Sequence, residues 1–436
     1  VTHPAAIPNG RETVAGRAAG KRALARRPDA RLLLIHQNFP GQFRELARAW
    51  AARPDLQVLG LGRDTAPGLP GVAWQRYRLH RPPAEAQHPY LRQMEIAVLH
   101  GQAVARTLAR LARQGYRPDV VLAHPGWGET LYLRDIFPDA RLIHLCEWYY
   151  GKPGADVGFD PEFPVGPDIH ARMRTWNALH ALNLAQCDLG VSPTAWQRAQ
   201  HPAEFQRKIV VQHEGIDTAY FAPDPGARFK TPSGVELAAG DPVITFVARN
   251  LEPYRGFHIF MRALACVQRR HPGCHAIIVG GDEVSYGAAP ADAPNWREKL
   301  LREVALDPAR THFTGRLPRA DYRRVLQVSA AHVYLTYPFV LSWSLLEALS
   351  TGCRVIGSRT APVEEVIRDG ENGVLVDFFD VEGIAVRVLE ALDARERCTA
   401  FGEDARTSVK RFDVDEAGRG YQSLVMPQCK QGNKHV

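Results

Sequence analysis

The stretch "VITFVARNLEPYRGFHIF", residues 243–260, changes character twice. It opens as a run of β-branched and aromatic residues, the composition of a buried strand. It then turns through Pro253 and Gly256 and continues as a helix. Strand, turn and helix in that order make half of a βαβ unit. Two cations stand at the corner, Arg249 at the strand end and Arg255 beside the helix start. Guanidinium groups there suit a diphosphate, because the first amides of a helix point the same way. A pair of surface arginines is the plain alternative.

The same unit recurs on both sides. Before it come "RLLLI" (31–35), "LQVLGLG" (56–62), "VVLAH" (120–124), "RLIHLCE" (141–147), "DLGVS" (188–192) and "KIVVQHEG" (208–215). After it come "CHAIIVGG" (274–281), "THFTGR" (311–316), "AHVYLTY" (331–337), "CRVIGS" (353–358) and "GVLVDFF" (373–379). Helical stretches such as 89–115 lie between them. Strands alternating with helices predict parallel sheets. The fold class is therefore α/β, with two Rossmann-like, doubly wound domains facing across a cleft. Ligands bind such sheets at the carboxyl ends of the strands. The expected division is an arm over 1–30, a first domain over 31–216, a Pro-, Gly- and Ala-rich linker or hinge over 217–242, and a second domain over 243–410. A helix over 411–425 is expected to cross back onto the first domain, leaving a tail over 426–436.

Composition narrows the function classes. The chain of 436 residues is 45% hydrophobic and 23% charged, ordinary for a globular protein. No apolar run approaches the ~18 residues of a membrane span. Seven scattered cysteines without a CxxC fit a reducing, cytoplasmic setting and no zinc site. No signal peptide is read in the first thirty residues. The net charge of +7 resides wholly in residues 1–220, with 27 Lys and Arg against 20 Asp and Glu. Much of it is the arm "GRETVAGRAAGKRALARRPDAR" (10–31), read as disordered, or as a weak peripheral contact with an anionic membrane. Nucleic acid is disfavoured, since no interleaved aromatics accompany the charge.

Two further stretches repeat the corner geometry. "LLLIHQNFPGQFRELA" (32–47) places Gly41 between a strand and a helix, where backbone can approach a ligand or simply turn tightly. "TYPFVLSWSLLEALSTGC" (336–353) runs from strand to helix near Trp343 and Ser344, and carries one carboxylate, Glu347. That acid is either a surface residue or an acceptor of hydrogen bonds from a ribose diol. A nucleotide satisfies arginines, helix amides and acid together.

As a set, "VARNLEPYRGF", "IIVGGD", "HFTGRLPRADYRRVLQVSAAHVYLTYPF", "LLEALSTGCRVIGS" and "APVEEVIRDGENGVLV" resemble the donor domain of family 4 glycosyltransferases. "HQNFPGQF", "VLAHPGWGE", "VSPTAWQ" and "HEGIDTAYF" fit the first half of that family, so the resemblance covers about 31–425. It implies the GT-B fold and retaining transfer from a nucleotide-diphospho-sugar, with UDP or GDP left open. By the resemblance Arg249, Arg255 and His124 are the catalytic set. Gly41, Asp282, Arg316, Leu317, Ser342, Ser344, Leu346 and Glu347 are donor contacts, with Glu347 on the ribose and Arg316–Leu317 beside the base. His124 is otherwise a core histidine. The family usually has Lys where this chain has Arg255.

One departure stands out. The first Glu of the family's Glu-seven-residues-Glu motif is Phe339 here, and the following Gly is Ser342. Either other groups, such as Ser342, Ser344 or Asp282, serve the donor sugar, or the chain binds a nucleotide-sugar without transferring it. An epimerase or phosphorylase on the same fold is a further alternative that lacks a signature. No cofactor and no metal are expected. The only DxD, Asp413 and Asp415, lies near the C-terminus, and Asp415 reads as a helix N-cap. The hydroxyl acceptor, a glycan, glycolipid or small molecule, is assigned to Gln42, Glu147, Trp148 and the aromatic loop 146–168. Ordinary loop packing explains the same aromatics.

Overall fold

A computed structural model describes residues 30–151, 155–393 and 398–426. The expected basic arm, apart from Ala30, and the tail beyond Met426 lie outside these residues.

Seven strands form the first sheet: β1 Ala30–Ile35, β2 Leu56–Arg63, β3 Trp74–Tyr77, β4 Val120–Ala123, β5 Arg141–Leu145, β6 Leu189–Ser192 and β7 Ile209–Val211. They lie in the order β3-β2-β1-β4-β5-β6-β7, with all pairings parallel. A two-stranded hairpin follows, β8 Arg228–Lys230 and β9 Glu236–Ala238. The second sheet holds β10 Val243–Asn250, β11 His275–Gly281, β12 Thr311–Gly315, β13 Ala331–Tyr334, β14 Val355–Ser358 and β15 Val374–Val376. Its order is β12-β11-β10-β13-β14-β15, again parallel. The central strands read as unbroken apolar runs because helices cover both faces; Leu33, Leu34 and Ile35 have no exposed surface. Chain order reverses between β1 and β4, and between β10 and β13, so each sheet opens its crevice there.

The expectations need four adjustments. β3 was not anticipated, since "WQRY" is a short edge strand with little apolar signal. The linker 217–242 is only partly a linker. Ala227, Phe229 and Leu237 pack under Val279 and Val325, so the β8–β9 hairpin belongs to the second domain's core. Helix Val414–Val425 is capped by Asp413, not Asp415, because the Asp413 carboxylate accepts from the Asp415 amide. The aromatic loop divides: its later part, 155–166, straps onto the second domain rather than lining only the first. Phe159 packs against Tyr337, Phe378 and Phe379, and Phe163 against His258 and Trp296.

Helix Val414–Val425 returns to the first sheet, where Tyr421 and Val425 pack with Leu32 and Phe43. The two connections between domains are bonded to each other where they cross, Ile216 N–H to Phe412 O at 2.8 Å and Val414 N–H to Ile216 O at 2.9 Å. Glu365 of the second domain accepts from the Ala195 and Trp196 amides, capping a helix of the first domain. Among the described residues no helix is long and apolar enough to cross a membrane.

Candidate active site

Four residues meet at the carboxyl ends of β1, β4 and β5. His36 directly follows β1, and its Nδ1 accepts from the Asn38 amide at 3.0 Å. The ring proton is therefore on Nε2, which donates to Gln42 Oε1 at 2.5 Å. Gln42 Nε2 donates in turn to Glu147 Oε1 at 3.0 Å. His124 follows β4; its Nδ1 accepts from the Gly126 amide, and its Nε2 donates to Glu147 Oε2 at 3.2 Å. Every donor and acceptor in the chain has one consistent assignment. Burial alone would push the Glu147 carboxyl up, but the hydrogen bonds from His124 and Gln42 and the polar imidazoles beside it outweigh burial and hold it below the usual range. Its side chain is still 30% exposed, towards the cleft. Burial, then the neighbouring His124, push His36 down to about 3, so that ring is neutral. Gly41 is required by this packing: at φ +49° its added Cβ would lie 2.3 Å from the His36 ring. The ring of His124 stacks on Trp127 at 4.2 Å.

Across the cleft, Arg249 is exposed at the end of β10 and has no carboxylate partner among the described residues. Its charge bears on His36. Arg255 is buried. Its Nη1 donates to Thr336 Oγ1 at 2.9 Å and Val340 O at 3.0 Å, and its guanidinium lies over the Tyr286 ring. Gly256, at φ +68°, caps the turn and starts helix Phe257–Arg270. Tyr286 is positioned by Glu252, wholly buried, which accepts from the Ser285, Tyr286 and Gly287 amides. Ser342 caps helix Trp343–Ser350, its Oγ accepting from the Ser344 amide, with the Ser344 hydroxyl 2.9 Å away. One turn on, Glu347 accepts from Tyr322 Oη at 2.7 Å, and burial pushes its carboxyl up to about 7.

Other expected contacts already have partners within the protein. Asp282 is paired with Arg297 at 2.8 Å. Arg316 donates to Asn250 and Glu283 beside the ends of β10 and β11. Leu317 packs against the β8–β9 hairpin cluster. The Leu346 side chain is fully buried in the core. Phe339, where the family places an acid, is 6% exposed and packed edge-on against Trp148 at 4.8 Å, with Tyr254 and Tyr286 on its other sides. Sequence reading missed His36, Tyr322, Glu252 and Tyr286. The position of His36, just after a strand at the switch point, was the one available signal.

A cavity of about 770 Å³ runs from His124, Glu147 and Phe339 outwards between the strap and helix Pro167–Gln186. The strap's carboxylates are already engaged. Asp160 accepts from His258 at 2.9 Å and Tyr337 at 2.6 Å, and Glu162 takes both ends of Arg262. Asp160, Glu162 and His258 have ligand atoms within 4.8 Å of one another, but this trio reads as an interdomain latch.

Residues 54–221 match the Glycosyl transferase family 4 group and 229–408 the Glycosyl transferases group 1. A D-inositol 3-phosphate glycosyltransferase from Acidothermus cellulolyticus is 30% identical over 325 residues, covering 69% of this chain and 67% of its own. The GDP-mannose-dependent alpha-(1-6)-phosphatidylinositol monomannoside mannosyltransferase of Mycolicibacterium smegmatis is 28% identical, covering 68% and 80%. Across such curated relatives the chain spans from 48% to 80% of their length. The structure of Anabaena Alr3699/HepE in complex with UDP-glucose superposes with a TM-score of 0.65 at 15% identity, covering 91% of this chain and all of that one, a likeness of GT-B fold. With both halves matched and two thirds of a relative covered at 30% identity, the chain belongs to the family 4 glycosyltransferases.

Proposed function

We propose that the protein is a retaining glycosyltransferase, moving a sugar from a nucleotide-diphospho-sugar to a hydroxyl acceptor without a metal. The observation that carries this reading is Arg249, an exposed cation without a carboxylate partner among the described residues, facing the neutral His36 across the cleft. An uncompensated guanidinium at a strand end suits an anion that arrives with the substrate. In this reading the chemical demand is charge on the departing diphosphate. Exposed Arg249, buried Arg255 and the first amides of helix Trp343–Ser350 meet it from fixed positions at the cleft. Glu347, with Tyr322, accepts from the ribose hydroxyls. Glu147 stays ionised and takes the proton side of an acceptor hydroxyl, while His124 holds its second oxygen. UDP and GDP remain equal as donor bases, given relatives and fold neighbours named for GDP-mannose and UDP-glucose. In this reading the protein is cytoplasmic, with the basic arm (10–31) as its contact to anionic lipid.

The test is a mass-spectrometric screen of nucleotide-sugars for released nucleotide and sugar, with Arg249→Ala alongside. Turnover of one donor, lost in the variant, supports transfer chemistry. A second reading, a nucleotide-sugar binder without transfer, draws on the apolar Phe339 in place of the acid. Tight donor binding with no turnover under any acceptor favours it.

A further inference from the structure

We infer that the acceptor is an uncharged polyhydroxylated ring, a sugar or cyclitol unit without phosphate, held in the cavity between the strap and helix Pro167–Gln186. This deepens the transferase reading and rests on it. The cavity, about 770 Å³, lies in the ~300–1,000 Å³ range of small-molecule sites. It reaches His124 and Glu147 at its inner end, so a ligand there meets the reacting centre.

Three observations define the chemistry. First, polar atoms without partners converge on the walls. Neither ring nitrogen of His144, 1% exposed, makes a hydrogen bond; the Asn183 backbone stands near but without the geometry. His180 Nε2 and Trp148 Nε1 are likewise buried and unpartnered. Unpartnered groups in a folded interior are costly and rare, and a ligand's hydroxyls would satisfy them. Burial pushes both histidines down to about 3, so they offer neutral donors and acceptors, not cations. Second, the walls are aromatic: Trp127, Trp148, Tyr150, Trp176, Tyr254 and Tyr286 present flat apolar faces of the kind that cover a sugar ring. Third, charge is partitioned. Exposed Arg249 and buried Arg255 belong to the donor side, whereas Glu147, Asp156 and Asp160 line this cavity. Asp156 is 2% exposed, and its carboxyl, pushed by burial up to about 6, is ionised above that pH. The one arginine on the wall, Arg172, is exposed. A phosphate entering here would face carboxylates, with no buried cation on the walls, among the described residues, to pair with.

The experiment titrates the full chain's tryptophan fluorescence with methyl α-glucoside, methyl α-mannoside, maltotriose and myo-inositol. Glucose 6-phosphate, mannose 6-phosphate and inositol 3-phosphate serve as charged counterparts. At pH 7.5 (well above Asp156) at least one neutral compound is expected to bind, about tenfold or more tightly than its phosphorylated form. His180→Leu is expected to weaken that binding about three- to tenfold, the size of one hydrogen bond. His144→Gln, inside the sheet, should do the same where it folds. Tighter binding of a phosphorylated compound overturns the inference. So does silence from every neutral compound at its solubility limit, or indifference to His180→Leu. Donor hydrolysis in the same preparation separates the two claims. Hydrolysis without neutral-sugar binding leaves the transferase reading and removes this one; binding without any donor turnover removes the transferase reading and, with it, the acceptor role, leaving only a sugar-binding cavity.

Discussion

Replacing Glu347 by Gln isolates the charge of the expected ribose acid. The amide oxygen of Gln can still accept from Tyr322 Oη, which stands 2.7 Å from the carboxylate, so the packing is kept. Burial raises this carboxyl from 4.5 to about 7. The fold therefore holds its proton more tightly than the unfolded chain does. Between those two values the native state binds the extra proton, so stability falls as pH rises, and is level again above about 8. At ~1.4 kcal/mol per pKa unit the full effect is about 3 kcal/mol, and solvent reaching the half-buried carboxylate reduces it to about 1–2 kcal/mol. Glu214 and Asp156 also titrate with raised values, and they cancel in the difference between wild type and variant. Thermal unfolding of the full chain, without nucleotide, is followed from pH 5 to 8.5. The two proteins should lie closest together near pH 5, where most of the wild-type stabilisation is still present. Near pH 8.5 Glu347→Gln should melt about 1–2 °C higher. The variant should also bind nucleotide more weakly, so its gain in stability is paired with a loss of function. Parallel melting curves, offset equally at every pH, would refute the buried-acid argument.

Arg249→Ala should lower donor turnover about 100- to 1,000-fold while leaving the melting temperature nearly unchanged, since Arg249 is exposed and unpaired among the described residues; steady-state kinetics with calorimetry checks both. Phe339→Glu, although it restores the family's acid, should destabilise the protein by about 3 kcal/mol or more, because the new carboxylate would be buried against Trp148, Tyr254 and Tyr286; recovery of wild-type stability with higher turnover would contradict this. Asp160→Ala leaves the buried His258 and Tyr337 donors unpaired, so a loss of about 1–3 kcal/mol and faster proteolysis within 155–166 are expected. Gly41→Ala forces a Cβ into the His36 ring and should cost about 1–3 kcal/mol together with activity.

How legible the site was depended on how its parts are joined. Arg249, Arg255, Gly41 and Ser342 sit where strand becomes helix, and that corner is written in a few adjacent residues. Each was readable. The burial of the Leu346 side chain was not readable, because periodicity alone does not say which face of helix Trp343–Ser350 looks to the cleft. The aromatic loop was readable as aromatic, but its two halves serve different domains. Phe159 and Phe163 turn to the second sheet while Trp148 turns to the cavity, and no local pattern separates them.

The two doubly wound domains follow from the sequence by itself. Apolar runs of strand length alternating with helices, broken by turn residues, leave parallel sheets as the consistent arrangement. The site's chemistry was settled by tertiary structure. Gln42 meets Glu147 across 105 residues of chain, and His124 meets it across 23, because parallel strands gather their carboxyl ends on one edge. Whether an acid is ionised there depends on burial and on neighbours brought from elsewhere. Glu147 stays charged under three polar partners, while Glu347, with Tyr322 as its hydrogen-bond donor, holds its proton to near pH 7.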